Sequence, residues 1–122
     1  MSESSFLNPA EALEPLYLHA GMRVADLAAS SGFFARAAAR AITPGEVWAV
    51  DPNPDLLARL KTIALGEGLH NIEVMRGDIE KREGSNLAAN SYDVVLLVNR
   101  LFAASNKEAI VQEAHRILKR NG

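Results

Sequence analysis

The stretch that most limits how this chain can fold runs Met22-Arg-Val-Ala-Asp-Leu-Ala-Ala-Ser-Ser-Gly-Phe-Phe34. An apolar run from Val24 to Leu27 is interrupted by one acid, Asp26, and small residues then follow unbroken from Ala28 to Gly32 before a helical pattern starts at Phe33. A strand, a turn of small residues and a helix start is the order in which α/β folds build a pocket against a helix N-terminus. The side chains are small there because the backbone must turn sharply and let a ligand approach it.

The remaining chain supplies the elements such a fold needs. Asn8 and Glu11 form a capping-box pair with Pro9 at the first helical position, and Pro15 makes that opening helix irregular. Residues 1–20 therefore read as an N-terminal helical segment and 21–122 as the core of a single domain. Strands are expected at Arg23–Leu27, Val47–Asp51, Asn71–Arg76 and Tyr92–Val98. The last is a near-continuous apolar run of the kind buried on both faces.

Helices are expected at Phe33–Ile42 and from Pro54, with Asn53 as the cap of the latter. A final helix opens on the capping box Ser105-x-x-Glu108 and carries Ile110, Ala114, Ile117 and Leu118 inward, with Glu113 beside them. Lys119 and Arg120 suit its C-terminal end, and Asn121-Gly122 its cap. Residues 80–91 are polar and aperiodic and read as a loop.

Alternating strands and helices predict a doubly wound parallel sheet whose ligand lies beyond the carboxyl ends of the strands. Polar residues fall in those places: Asp26, Asp51, Asp78 and Asn99. Asp51 follows the first acid at close to the roughly 20-residue interval of a ribose-binding acid. Each also fits a structural role, as turn residue at Asp51 and Asp78 or loop cap at Asn99. Asp26 is the hardest to read that way, since a carboxylate inside an apolar strand needs donors nearby. His19, His70 and His115 lie on separate elements without metal-ligand spacing, so no metal is expected.

Composition excludes some classes. A net charge of −2 gives no electrostatic reason to expect nucleic acid or a membrane surface. The longest apolar run, Val94 to Val98, is too short to span a bilayer, and the polar N-terminus is unlike a signal peptide. With no cysteine there are no disulfides, so a cytoplasmic location is expected.

On these segments the chain resembles the class I S-adenosylmethionine (SAM)-dependent methyltransferases over nearly its whole length. The family's acid-x-Gly-x-Gly-x-Gly loop is matched by Asp26-Leu-Ala28-Ala-Ser30-Ser-Gly32, with alanine and serine at two of the glycine positions. A positive φ at either would cost roughly 1 kcal/mol or more. The resemblance assigns Asp51, followed by Pro52, to the ribose hydroxyls of SAM, and Asp78-Ile79 to the adenine, with Asp78 at its amino group. Tyr92 to Asn99 is similar to the family's fourth strand and its exit, and Glu113 to Gly122 to its helix with Glu-x-x-Arg-x-Leu-Lys. A dinucleotide frame would need a glycine where Phe33 stands and fits less well.

The resemblance implies a Rossmann-like sheet of about four strands in the order 3-2-1-4, helices on both faces, and no counterpart of the family's C-terminal strands. It implies a SAM-dependent methyltransferase whose cofactor contacts are Asp26, Ala28, Ser30, Gly32, Asp51, Pro52, Asp78, Ile79 and Asn99. Catalytic residues and the methyl acceptor stay open. Asn99-Arg-Leu-Phe102 shares its first and last residues, but neither proline, with the Asn-Pro-Pro-aromatic motif of amino-group methylases. The alternative is a non-catalytic SAM-binding or assembly domain. Without strands beyond the fourth, Tyr92–Val98 would be a long apolar edge, and a homodimer through that edge is expected.

Overall fold

The computed structural model describes residues 9–27, 29–30, 32–97 and 104–121. The elements run α1 (Pro9–Leu13), a 3-10 turn (Glu14–Leu16), β1 (Arg23–Asp26), α2 (Phe33–Ile42), β2 (Glu46–Asp51), α3 (Pro54–Gly66), β3 (Ile72–Arg76), β4 (Val94–Leu96) and α4 (Lys107–Ile117). Pro15 lies in the 3-10 turn, where the opening helix changes pitch as its ring requires. Asn53 caps α3 as expected, its Oδ1 accepting from the Asp55 amide at 2.9 Å, with Pro54 at the first position.

The four strands form one parallel sheet in the order β3-β2-β1-β4, as the resemblance implied. Alternate residues of the strands serve two cores. Val24, Val47 and Ala49 pack with Leu13, Ala35, Ala38, Ile42 and Leu60 from α1, α2 and α3. Ala25 and Val50 pack on the other face with Ile110, Ala114 and Ile117 of α4 and with Ile79 and Leu87 of the connecting loop. Ala35, Ala38 and Ala39 of α2 are fully buried and let that helix lie close to the sheet. Helices therefore cover both faces, and all carboxyl ends of the strands point to one edge of the sheet.

The structure corrects three local expectations. The fourth strand is shorter than Tyr92–Val98; it begins at Val94, and Val98 lies outside the described residues. α4 is capped by Asn106, whose side chain accepts from the Ala109 amide at 3.1 Å, because the Ser105 hydroxyl is instead held by Glu80 at 3.1 Å. α4 also ends earlier than its apolar period suggests. Leu118 is extended (φ −67°, ψ 141°) and bridges Tyr92 in parallel, so Lys119 and Arg120 lie past the helix and His115 and Arg116 occupy its last turn.

That bridge matters for the sheet edge. The Asp93 amide bonds to Arg23 of β1 at 2.8 Å, whereas Tyr92 faces the other way. Its amide donates to Ile117 O at 3.0 Å and its carbonyl accepts from the Lys119 amide at 2.8 Å. Residues 117–119 thus cover Tyr92, just ahead of β4, on the side away from β1. Among the described residues no helix is long and apolar enough to cross a membrane.

Candidate functional site

Beyond the carboxyl ends of β1 and β2, the backbone is tied into a compact shelf. The Leu27 amide bonds to Leu96 O at 3.0 Å and the Ala29 amide to Val50 O at 3.3 Å, so the turn after β1 is stitched to both neighbouring strands. Gly32 closes the turn with φ 78° and donates to Ala29 O at 2.6 Å before α2 starts. A Cβ at Gly32 would stand 2.0 Å from Leu60 Cδ1, so two independent constraints require glycine there.

Ser30 also has a positive φ, 47°. The backbone strain anticipated at the replaced glycines is therefore present at Ser30. Ala28 lies outside the described residues, as does Asn99 with the rest of Asn99-Arg-Leu-Phe102.

Asp51 ends β2 half-buried and organises two loops at once. Its Oδ2 accepts from the Ser30 amide at 3.2 Å and its Oδ1 from the Asn53 amide at 2.9 Å. One backbone donor on each oxygen leaves lone pairs free, since a carboxylate offers about four acceptor positions. Its carbonyl accepts from the Gly77 amide at 3.3 Å, which brings the end of β3 alongside. Asp26 is 2% exposed at the end of β1 and does not lack a partner.

A cavity of about 400 Å³ opens next to Asp51, lined by Pro52, Arg76, Gly77, Asp78, Lys81 and Asn86. Its walls are hydrogen-bonded to each other. Arg76 Nε donates to Pro52 O at 3.2 Å, and Asn86 Nδ2 donates to Arg76 O at 3.0 Å. Asp78 presents a half-buried carboxylate there; Oδ1 accepts from the Glu80 amide at 3.0 Å, and Oδ2 lies 4.0 Å from Lys81 Nζ. Ile79 is 3% exposed and packs beneath the cavity in the α4 core, not in its lining.

Pro52 and Asp78 thus share one cavity wall with Arg76 and Lys81 at the ends of β2 and β3, and Asp51, next to Pro52, joins it to the turn after β1 through Ser30. Lone pairs at Asp51 suit a pair of vicinal hydroxyls, and Asp78 suits an amino group at the far end of a planar base. The cavity falls within the roughly 300–1,000 Å³ range of small-molecule sites. The residues present fit the nucleoside end of SAM.

On the α4 side a polar cluster joins the Glu113-x-x-Arg116 pattern to Ser85. Glu113 is 2% exposed, and its Oε2 accepts from the Ser85 amide at 3.1 Å and from the Ser85 hydroxyl. Arg116 grips both of its oxygens, Nε on Oε1 at 2.8 Å and Nη2 on Oε2 at 2.7 Å. Burial alone would raise the Glu113 carboxyl, but the hydrogen bonds from Arg116 and Ser85 outweigh it and hold the group below the ordinary glutamate value. The i,i+3 spacing of Glu113 and Arg116 was the available signal; nothing marked Ser85 as their partner.

Comparison with known proteins identifies the family and the fold. Residues 24–122 match the family model described as a methyltransferase domain. The chain is 34% identical over 103 residues to the ubiquinone/menaquinone biosynthesis C-methyltransferase of Burkholderia vietnamiensis, covering 84% of this chain and 41% of that protein. It superposes on a SAM-dependent methyltransferase from Aquifex aeolicus with a TM-score of 0.76 at 23% identity, over 92% of this chain and 58% of that one. The arsenic(III) S-adenosylmethionine methyltransferase of Chlamydomonas reinhardtii gives 0.73 at 29% identity, over 86% and 38%. The chain therefore spans about two fifths of the curated relative's length.

Proposed function

The chain belongs to the class I SAM-dependent methyltransferase family, and on that premise we propose that it binds SAM across the carboxyl ends of β1, β2 and β3 and takes part in methyl transfer. The observation that carries this reading is the link from Ser30 through Asp51 to the Asp78 cavity, with Gly32 where both a positive φ and the Leu60 side chain disfavour a Cβ.

Asp51 would accept the ribose hydroxyls on the lone pairs its backbone donors leave free. Asp78 would accept from the adenine amino group, in a cavity also lined by Pro52 and Asn86. The backbone amides at the start of α2 would meet the amino-acid end of SAM, where the helix dipole favours a carboxylate. SAM supplies a methyl group on a sulfonium, ready for attack by a nucleophile. The protein's part is then to hold the donor in line with the acceptor, which needs no acid–base pair on the chain. Titration of the wild-type protein with SAM and with S-adenosylhomocysteine tests the binding.

Two further elements belong to the same proposal. A second copy pairs with the side of β4 away from β1, forming a homodimer; because residues 117–119 already cover Tyr92, that contact is confined to Val94 and beyond. Static light scattering giving the dimer mass is the expected result, and a monomer at micromolar concentration would remove this part. The cysteine-free sequence needs no oxidising compartment and supports a cytoplasmic location.

A further inference from the structure

The loop that carries Asp78 is fastened to α4 at two places, and neither lies in the nucleoside cavity. At its start, Glu80 Oε1 accepts from the Ser105 amide at 3.0 Å and the Asn106 amide at 2.9 Å, at the N-terminal end of α4. At its far end, the Ser85 amide and hydroxyl both converge on Glu113 Oε2 in the middle of the helix. Arg116 Nη2 adds a bond to Leu87 O at 2.8 Å.

The loop closes on itself between these anchors. The Asp78 amide donates to Gly84 O at 2.9 Å, and a Cβ on Gly84 would stand 1.7 Å from Asp78 O. Asp78 therefore rests directly on Gly84, and Gly84 is covalently joined to the residue Glu113 holds. Ser85 is fully buried, so this path has little freedom to shift.

A buried carboxylate–guanidinium pair is a weak source of net stability, because desolvation offsets much of the attraction. What it supplies is direction: Ser85 has one orientation in which both its donors meet Oε2, whereas an apolar contact would tolerate several. We propose that Glu113 is a positioning residue which, through Ser85 and Gly84, sets where Asp78 presents its carboxylate in the nucleoside cavity. This rests on the reading of that cavity as the adenosine site of SAM. Glu113 does not line the cavity and touches no ligand there.

The test compares two ligands on the full chain: S-adenosylhomocysteine and S-inosylhomocysteine, which lacks the exocyclic amino group. Each is titrated by calorimetry into wild type, Asp78→Ala, Ser85→Ala and Glu113→Gln, with urea unfolding run alongside. Wild type should prefer the adenine ligand by about tenfold, the worth of one hydrogen bond to a charged acceptor. Asp78→Ala should erase the preference, and Ser85→Ala and Glu113→Gln should lower it by about fivefold or more. A merely stabilising role would reduce the urea midpoints and leave the ligand ratio unchanged, and that result would overturn the proposal. Should Glu113→Gln fail to fold, Ser85→Ala, which keeps its backbone bond to Glu113, decides alone. If wild type binds neither ligand, the SAM reading itself fails, an outcome distinct from binding with an unaltered ratio in the variants.

Discussion

The Ser30 amide donates to the Asp51 carboxylate at 3.2 Å, so the turn after β1 and the acid ending β2 are one mechanical unit. In the proposed SAM complex the acid that takes the ribose hydroxyls would also hold the turn after β1, so ligand binding and loop geometry would be coupled at a single side chain.

Asp51→Ala should accordingly weaken SAM by roughly ten- to hundredfold, the loss of hydrogen bonds to a charged acceptor. The same substitution frees the Ser30 and Asn53 amides, so the unfolding midpoint should fall slightly. Calorimetry and urea unfolding on one preparation check both effects. A variant that loses stability but keeps its SAM affinity would place Asp51 in the scaffold alone.

Ser30 and Gly32 share a positive φ but differ in surroundings. Ser30→Gly removes strain at an exposed position and should be neutral or stabilising by up to about 1 kcal/mol. Gly32→Ala drives a Cβ into Leu60 at 2.0 Å and should destabilise by about 2 kcal/mol or more. Equilibrium unfolding of the two variants separates these directions, and equal effects would contradict the turn geometry.

The small-residue turn, Asp51 and Gly77-Asp78 were legible in the sequence, because each is local chemistry attached to a strand end, whereas the sheet order came only with the family resemblance. The core face of the last helix was legible too, but its two ends and its contacts with the 80–91 loop were not. Ser105-x-x-Glu108 has the form of a capping box, yet Glu80 captures the Ser105 hydroxyl and the cap passes to Asn106. Leu118 continues the apolar helical period, but pairing with Tyr92 pulls it into an extended conformation. Glu113 becomes a buried anchor only because the aperiodic 80–91 loop folds back onto α4 and brings Ser85 to it. In each case a contact between segments distant in sequence outweighed the local preference.

Glu113→Ala should remove about 3 kcal/mol of stability, since it leaves the Arg116 guanidinium without its main partner and Ser85 without an acceptor. Glu113→Leu combined with Arg116→Met should recover part of that loss, because it removes the unpaired charge while still leaving Ser85 and Leu87 O without these partners. Urea midpoints of the single and double variants test this. A double variant no more stable than the single would show that the pair itself, not its desolvation, governs the site.

Acid should weaken the fold through two carboxylates. Hydrogen bonds from Arg116 and Ser85 hold Glu113 below its ordinary value against burial, and the Arg23 amide, with Lys119, lowers Asp93. A carboxylate lowered in the folded state contributes stability above its unfolded pKa and loses it as pH falls through the folded value. Stability should therefore be level near neutrality and decline below about pH 4. In Glu113→Gln/Asp93→Asn that decline should be shallower; an unchanged slope would assign it to other groups.

The central claim is that the shelf formed by Gly32, Ser30, Asp51 and Asp78 binds SAM. Isothermal titration of the wild-type chain with S-adenosylhomocysteine, repeated with Asp51→Ala, tests it most directly. The predicted result is saturable one-site binding to wild type, weakened at least tenfold in the variant. No binding heat to wild type at millimolar ligand, or equal affinity in the two proteins, would contradict it.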